Sequence, residues 1–127
     1  MKNKYLIDTN IIIYYFNGLT NDKFIHTVLE KSFNISIITK IEFLSWQKLY
    51  NNHELSKKAV EFMSNACVYD LDAVVADETI KNRQKFKIKT PDAIIGSTAL
   101  VNGFDIVTNN ISDFEKLNLN IKSVTLF

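Results

Sequence analysis

The sequence has a single cysteine, Cys67, which rules out a disulfide within the chain. It has one proline, Pro91, and three glycines, too few for a Pro/Gly-rich linker, and it shows no repeat or low-complexity tract. Long apolar runs are also missing. Ile11–Phe16 is representative, and it falls far short of the ~20 residues that a bilayer-spanning helix needs. The first residues reach Asp8 before the apolar core of a secretion signal could develop. The expectation is therefore a cytoplasmic protein with no membrane attachment. What is present is ample for a core: 46% of the 127 residues are hydrophobic, which argues against disorder and fits one domain over 1–127.

An excess of either charge is lacking too, since 15 basic and 14 acidic residues leave +1. The distribution is less even. Lys81, Arg83, Lys85, Lys87 and Lys89 put five positive charges into nine residues. Such a run is often only a solvated helix face. If four carboxylates gather at a metal, however, the remainder is 15 − 10 = +5, a basic body around that site.

The pattern of apolar residues alternates between strands and helices. Lys4–Ile7 reads as a short buried strand stopped by Asp8, and Ile11–Phe16 as a helix closed by Asn17-Gly18. Asp22 can cap a helix bearing Phe24, Ile25, Val28 and Leu29, and Asn34–Ile38 is a β-branched strand. Thr39 then caps a helix from Lys40 to about Tyr50, and Ser56 a helix whose stripe is Ala59, Val60, Met63, Ala66 and Cys67. Val68–Leu71 is a strand candidate, followed by a helix from Asp72 to about Phe86. Thr90-Pro91-Asp92 starts a helix that stops at Gly103, with Thr90 as its cap. Asp105–Thr108 is a strand, Ser112–Lys116 an irregular turn, and Ser123–Leu126 a last strand. Alternation of this kind predicts an α/β fold with a parallel sheet, whose reactive residues gather beyond the carboxyl ends of the strands.

Four acids stand at element ends. Asp8 follows the first strand, Glu42 and Asp92 fall in first helical turns, and Asp113 follows the strand ending at Thr108. Each has a structural reading: a cap for Asp8, a Thr39-x-x-Glu42 capping box, a helix-dipole partner for Asp92, a turn residue for Asp113. Jointly they say more, because Asp92 shares its helical face with Ile95, Gly96 and Ala99. A buried, unpaired carboxylate protonates unless a partner holds it, and a cation is the natural partner. Oxygen donors without nearby His or Cys favour Mg²⁺ or Mn²⁺, and His26 and His53 stand alone. A carboxylate-held Mg²⁺ suits phosphodiester hydrolysis.

Asp8-Thr9-Asn10, Glu42, Thr90-Pro91-Asp92-Ala93 and Thr108-Asn109-Asn110-x-x-Asp113-Phe114 resemble, in order and spacing, the acidic motifs of PIN-domain nucleases. The Asp-Thr-Asn opening and the length are similar to VapC toxins in particular. The resemblance implies a PIN-like three-layer sandwich with a five-stranded parallel sheet flanked by helices. It implies an Mg²⁺- or Mn²⁺-dependent endoribonuclease, homodimerisation, and inhibition by a VapB-like antitoxin. Asp8, Glu42 and Asp92 match the family's main acids. The fourth acid is carried by some members at the position of Asn110 and by others later; Asp113 is the expectation here. Thr9, Asn10, Thr108 and Asn110 are then supporting polar groups, and Lys85, Lys87 and Lys89 contact RNA phosphates. Cleavage leaving a 5′-phosphate and 3′-hydroxyl is likewise implied by the family alone.

Other readings fit less well. A haloacid-dehalogenase-type phosphatase wants a second Asp where this chain has Asn10, and a receiver domain wants an early acidic pair. A flap-type DNA nuclease wants an arch or clamp for which the chain has no room. The alternative that stays open is a non-catalytic PIN-fold module binding RNA or protein. The aromatics Tyr14, Tyr15, Phe16, Phe43, Trp46 and Tyr50 are mostly core by expectation, with some at a dimer or antitoxin surface.

Overall fold

The structure, a computed structural model, describes residues 4–127. Strand β1 (Tyr5–Ile7) passes directly into helix α1 (Thr9–Phe16), because Asp8 is in extended conformation and its Oδ1 accepts the Thr9 N–H at 2.8 Å. Helix α2 (Lys23–Lys31) begins where Asp22 caps it, as its sequence predicts, and β2 (Asn34–Ser36) follows. Next come α3 (Ile37–Leu44), a 3-10 turn at Gln47–Leu49, α4 (His53–Met63) and β3 (Cys67–Tyr69). The second half holds α5 (Ala73–Lys85), α6 (Thr90–Asn102), β4 (Asp105–Val107), α7 (Ile111–Glu115) and β5 (Ile121–Lys122).

The strands form one parallel five-stranded sheet in the order β3-β2-β1-β4-β5. Side chains alternate across it. Ile7 and Val107 enter a core with Ile11, Ile25, Phe43 and Met63, on the side of α1 to α4. Leu6 and Ile106 enter the opposite core with Ala93, Ile95, Ala99 and Phe114, on the side of α6 and α7. Helices therefore cover both faces, the three-layer arrangement that the family resemblance implies. Among the described residues no helix is long and apolar enough to cross a membrane.

Several boundaries differ from the sequence reading. Ser36, not Thr39, caps α3, its Oγ accepting the Ile38 N–H at 3.1 Å. Glu42 therefore lies beyond the first turn, and no Thr39–Glu42 capping box forms. Asn52 rather than Ser56 caps α4 through the Leu55 N–H, and Lys89 rather than Thr90 holds the α6 cap position. Val60 and Cys67 are exposed, so the α4 stripe is narrower than expected; Cys67 belongs to β3. Residues 112–116 lie mostly in the regular turn of helix α7, and the last strand is Ile121–Lys122 instead of Ser123–Leu126. Backbone groups of that tail are held by distant side chains. The Asn109 amide pairs with both the N–H and the carbonyl of Val124 (2.8 and 3.0 Å), and Asp22 accepts the Thr125 N–H.

Candidate active site

The chain builds β2 and β3 on one side of β1, then crosses to place β4 and β5 on the other. A reversal of this kind opens a crevice at the carboxyl ends of the two central strands. Ile7 is in register with Val107, so the residues that follow them, Asp8 and Thr108, meet at that crevice. The Asp8 N–H donates to the Val107 carbonyl at 2.9 Å. The buried Thr108 hydroxyl donates to Asp8 Oδ2 at 2.7 Å, and its oxygen accepts the Asn110 N–H at 2.9 Å. One carboxylate is thus fixed by the strand ladder, by its own helix cap and by a buried hydroxyl.

Glu42 and Asp92 act on it, and Asp113 stands next to Asp92. Glu42 is carried by α3, and its Oε1 accepts the Thr9 hydroxyl at 2.6 Å; that hydroxyl also lies 3.0 Å from the buried Thr39 hydroxyl. Asp92 stands half-buried in the first turn of α6. Asp113 is carried by α7, where the Asn110 amide donates to Oδ2 at 3.1 Å and the Lys116 ammonium lies 3.6 Å from Oδ1. Gly96 helps set that last position. A Cβ there would run into Leu117 and press on Phe114, so glycine lets α7 close over α6.

The electrostatics show that these acids feel one another. Burial pushes the Asp8 carboxyl from 3.8 up to about 6, the Thr108 hydrogen bond opposing and the Asp92 and Glu42 charges adding to the rise. Asp92 is raised as well, first by burial, then by the charges of Asp113 and Glu42, with Lys89 opposing. Among the described residues no three Asp, Glu, His or Cys side chains stand close enough to make a ready cage for an ion. A cage is not what Mg²⁺ asks for: it keeps several waters and takes one or two carboxylates directly. A hard-oxygen donor set in which burial and neighbouring charge raise both Asp8 and Asp92 fits such an ion.

The remaining residues named from sequence are spread around this centre. Asn10 is exposed on α1, and among the described residues no hydrogen bond joins its side chain to the acids. Lys85 ends α5, while Lys87 and Lys89 lie in the connector to α6; all three are exposed. His26 bonds the Tyr15 hydroxyl and His53 opens α4, both away from the acids. Phe43 is fully buried, Tyr14, Tyr15, Phe16 and Trp46 pack half-buried against the first core, and Tyr50 is 79% exposed. Thr39 and Lys116 take part without having been expected from the sequence, while the Asn109 side chain serves the tail at Val124. For Thr39 a signal exists, since it precedes Glu42 by three residues and so shares its helical face. Lys116 likewise stands three residues from Asp113, whereas its contact with the Lys87 carbonyl is set by tertiary structure.

The family model for the PIN domain matches residues 5–118. A search of curated proteins returns no match. Among solved structures, a chain of the DNA-bound VapBC complex from Salmonella typhimurium is similar at 24% identity and TM-score 0.82, over 96% of this chain and 98% of that one. A chain of VapBC2 from Rickettsia felis, bound to a DNA fragment from its promoter, gives 22%, 0.81, 95% and 98%. A toxin–antitoxin complex from Klebsiella pneumoniae gives 28%, 0.71, 87% and 90%. With the family model running from β1 through α7 and taking in all four acids, the chain belongs to the PIN domain family.

Proposed function

We propose that this protein is an Mg²⁺- or Mn²⁺-dependent endoribonuclease acting as the toxin of a VapBC-type pair. The observation that carries the reading is the convergence of Asp8, Glu42, Asp92 and Asp113 at the sheet's reversal point, where Asp8 and Asp92 are both raised, first by burial and then by their acidic neighbours. Helix caps alone would not bring four acids from four elements to one crevice. Asp8 and Asp92 would hold the ion, with Asp113 beside them. When bound, it would neutralise charge developing on the phosphate and make a water more acidic. Glu42, steadied by the Thr9 hydroxyl, orients the attacking water and takes its proton on a carboxylate oxygen. The similarity to chains of VapBC complexes supports a VapB-like antitoxin as partner; a homodimer as the working form is taken from the family resemblance alone.

The rival reading, a non-catalytic binding module, draws on the lack of a ready cage among the described residues. Purified protein incubated with RNA separates the two. Cleavage that appears with Mg²⁺ or Mn²⁺ and vanishes with chelator is expected; RNA left intact by the folded protein at millimolar Mg²⁺ would favour the module.

Two residue-level outcomes follow from the geometry. Asp113→Asn should reduce single-turnover cleavage more than Asn110→Ala does. Asn110 acts on Asp113 only through one 3.1 Å hydrogen bond, and the Lys116 ion pair remains when that bond is removed. An outer partner of this kind is worth roughly 10–100-fold; the reverse ranking would move the fourth ligand to Asn110. Replacing Lys85, Lys87 and Lys89 together with Ala should weaken RNA binding and flatten its dependence on salt, by about 0.7–0.9 in log–log slope for each phosphate left without its cation. An unchanged slope would make the run a solvated surface.

A further inference from the structure

A cleft of about 540 Å³ opens beside Asp113, lined by Arg83, Phe86, Lys87, Ile88 and Lys89. Its walls are set by how α5 ends. Phe86 leaves the helix in extended conformation, and the connector then alternates, with Ile88 buried in the second core while Lys87 and Lys89 face solvent. Two hydrogen bonds hold this segment in shape. Arg83 Nε donates to the Ile88 carbonyl at 3.2 Å, and Lys116 Nζ donates to the Lys87 carbonyl at 2.9 Å while lying 3.6 Å from Asp113. The connector is thereby tied to α5 on one side and, through Lys116, to the acid-bearing α7 on the other.

None of the chemistry assigned to the four acids uses Phe86 or Arg83. The lining nevertheless combines one aromatic ring, three cations and a single carboxylate shared with the candidate site. Single-stranded nucleic acid is bound by that combination, with bases on aromatic faces and phosphates on cations. The cleft's volume suits a small-ligand-sized guest. A base inside an A-form duplex is already stacked and cannot enter it. We propose that this cleft takes the nucleotide adjoining the scissile phosphate of a single-stranded RNA segment, its base on Phe86 and its phosphate between Arg83 and Lys87. The assignment rests on the endoribonuclease reading for which phosphate is scissile, but the stacking itself is a matter of binding.

The test is fluorescence anisotropy with a labelled single-stranded RNA, a duplex of the same sequence, and single strands carrying one abasic position at a time. Phe86 is half-buried against the second core; Phe86→Leu stays apolar with some loss of volume and removes the π-face, and Phe86→Tyr keeps the ring. Stacking on one base is worth roughly 5- to 150-fold in affinity, so Phe86→Leu should weaken single-strand binding by about tenfold or more. Phe86→Tyr should restore it to within about twofold, and duplex binding should not change. One abasic position should weaken binding to the wild type yet add no further loss in Phe86→Leu. Equal binding by wild type and Phe86→Leu, or an abasic loss equal in both, overturns the proposal. If Phe86→Leu melts early, abasic scanning of the wild type and the Tyr variant decides instead: no base-dependent position overturns it. Cleavage without Phe86 dependence removes only the cleft. Phe86-dependent binding without Mg²⁺-dependent cleavage removes only the nuclease.

Discussion

Asp8→Asn and Asp92→Asn should each lower Mg²⁺-dependent RNA cleavage by on the order of a thousandfold, with protein yield and fold unchanged. Charge stabilisation by a bound ion supplies several kcal/mol; a loss of about 4 kcal/mol at 1.36 kcal/mol per decade gives roughly that factor. Asparagine keeps the local structure. At position 8 the cap survives, because Asn and Asp cap helices about equally well, and the Thr9 N–H still finds an acceptor oxygen. What is removed is a charge held by the Thr108 hydroxyl at 2.7 Å. The same change should relieve the growth arrest that induced expression of the wild type produces in bacteria. Undiminished cleavage and arrest in both variants, at equal protein level, would end the nuclease mechanism.

Two of the acids are legible in the sequence for a simple reason: their places depend on local rules. A strand that stops at Asp8 puts its carboxylate at the sheet's carboxyl edge, and Thr-Pro-Asp fixes Asp92 in a first turn. Glu42 is harder. Asn-Ile-Ser-Ile-Ile-Thr has the β-branched character of a strand, so the helix start expected from sequence falls three residues late. Three residues suffice for β2 to pair with both neighbours, and Ser36 then caps α3 with its own side chain. The chain end departs from expectation for another reason. Ser123–Leu126 has strand propensity, yet side chains at Asn109 and Asp22 satisfy Val124 and Thr125 in place of a sheet neighbour. No local pattern announces partners that far along the chain. Asp113 differs from these, since Asn110 and Lys116 flank it at three residues on either side and hold it by local helix spacing once α7 forms.

The metal-free wild type should lose stability as pH rises from about 4 to about 6, and Asp8→Asn should lose much less. Asp8 titrates at about 6 in the folded protein against an ordinary value of 3.8. Between those values the folded state binds the proton that the unfolded state has released, so stability falls as pH rises through the window. Above it the penalty is complete, at roughly 3 kcal/mol for this group from 1.36 kcal/mol for each pH unit of separation. The raised Asp92 acts with the same sign. In chelator at pH 7.5, Asp8→Asn should therefore melt several degrees above wild type, while at pH 4 the two should nearly coincide. Mg²⁺ reverses the order. It stabilises the wild type by RT ln(1 + [L]/Kd), about 2.7 kcal/mol at 100 times the dissociation constant, and the variant should forgo most of that gain. If Asp8 were only a cap, the variant would melt like wild type at every pH and Mg²⁺ would move neither protein. Thermal melts at pH 4 and 7.5, with chelator and with Mg²⁺, distinguish the two: coincident curves under all four conditions would leave Asp8 as a helix cap, with no metal site around it.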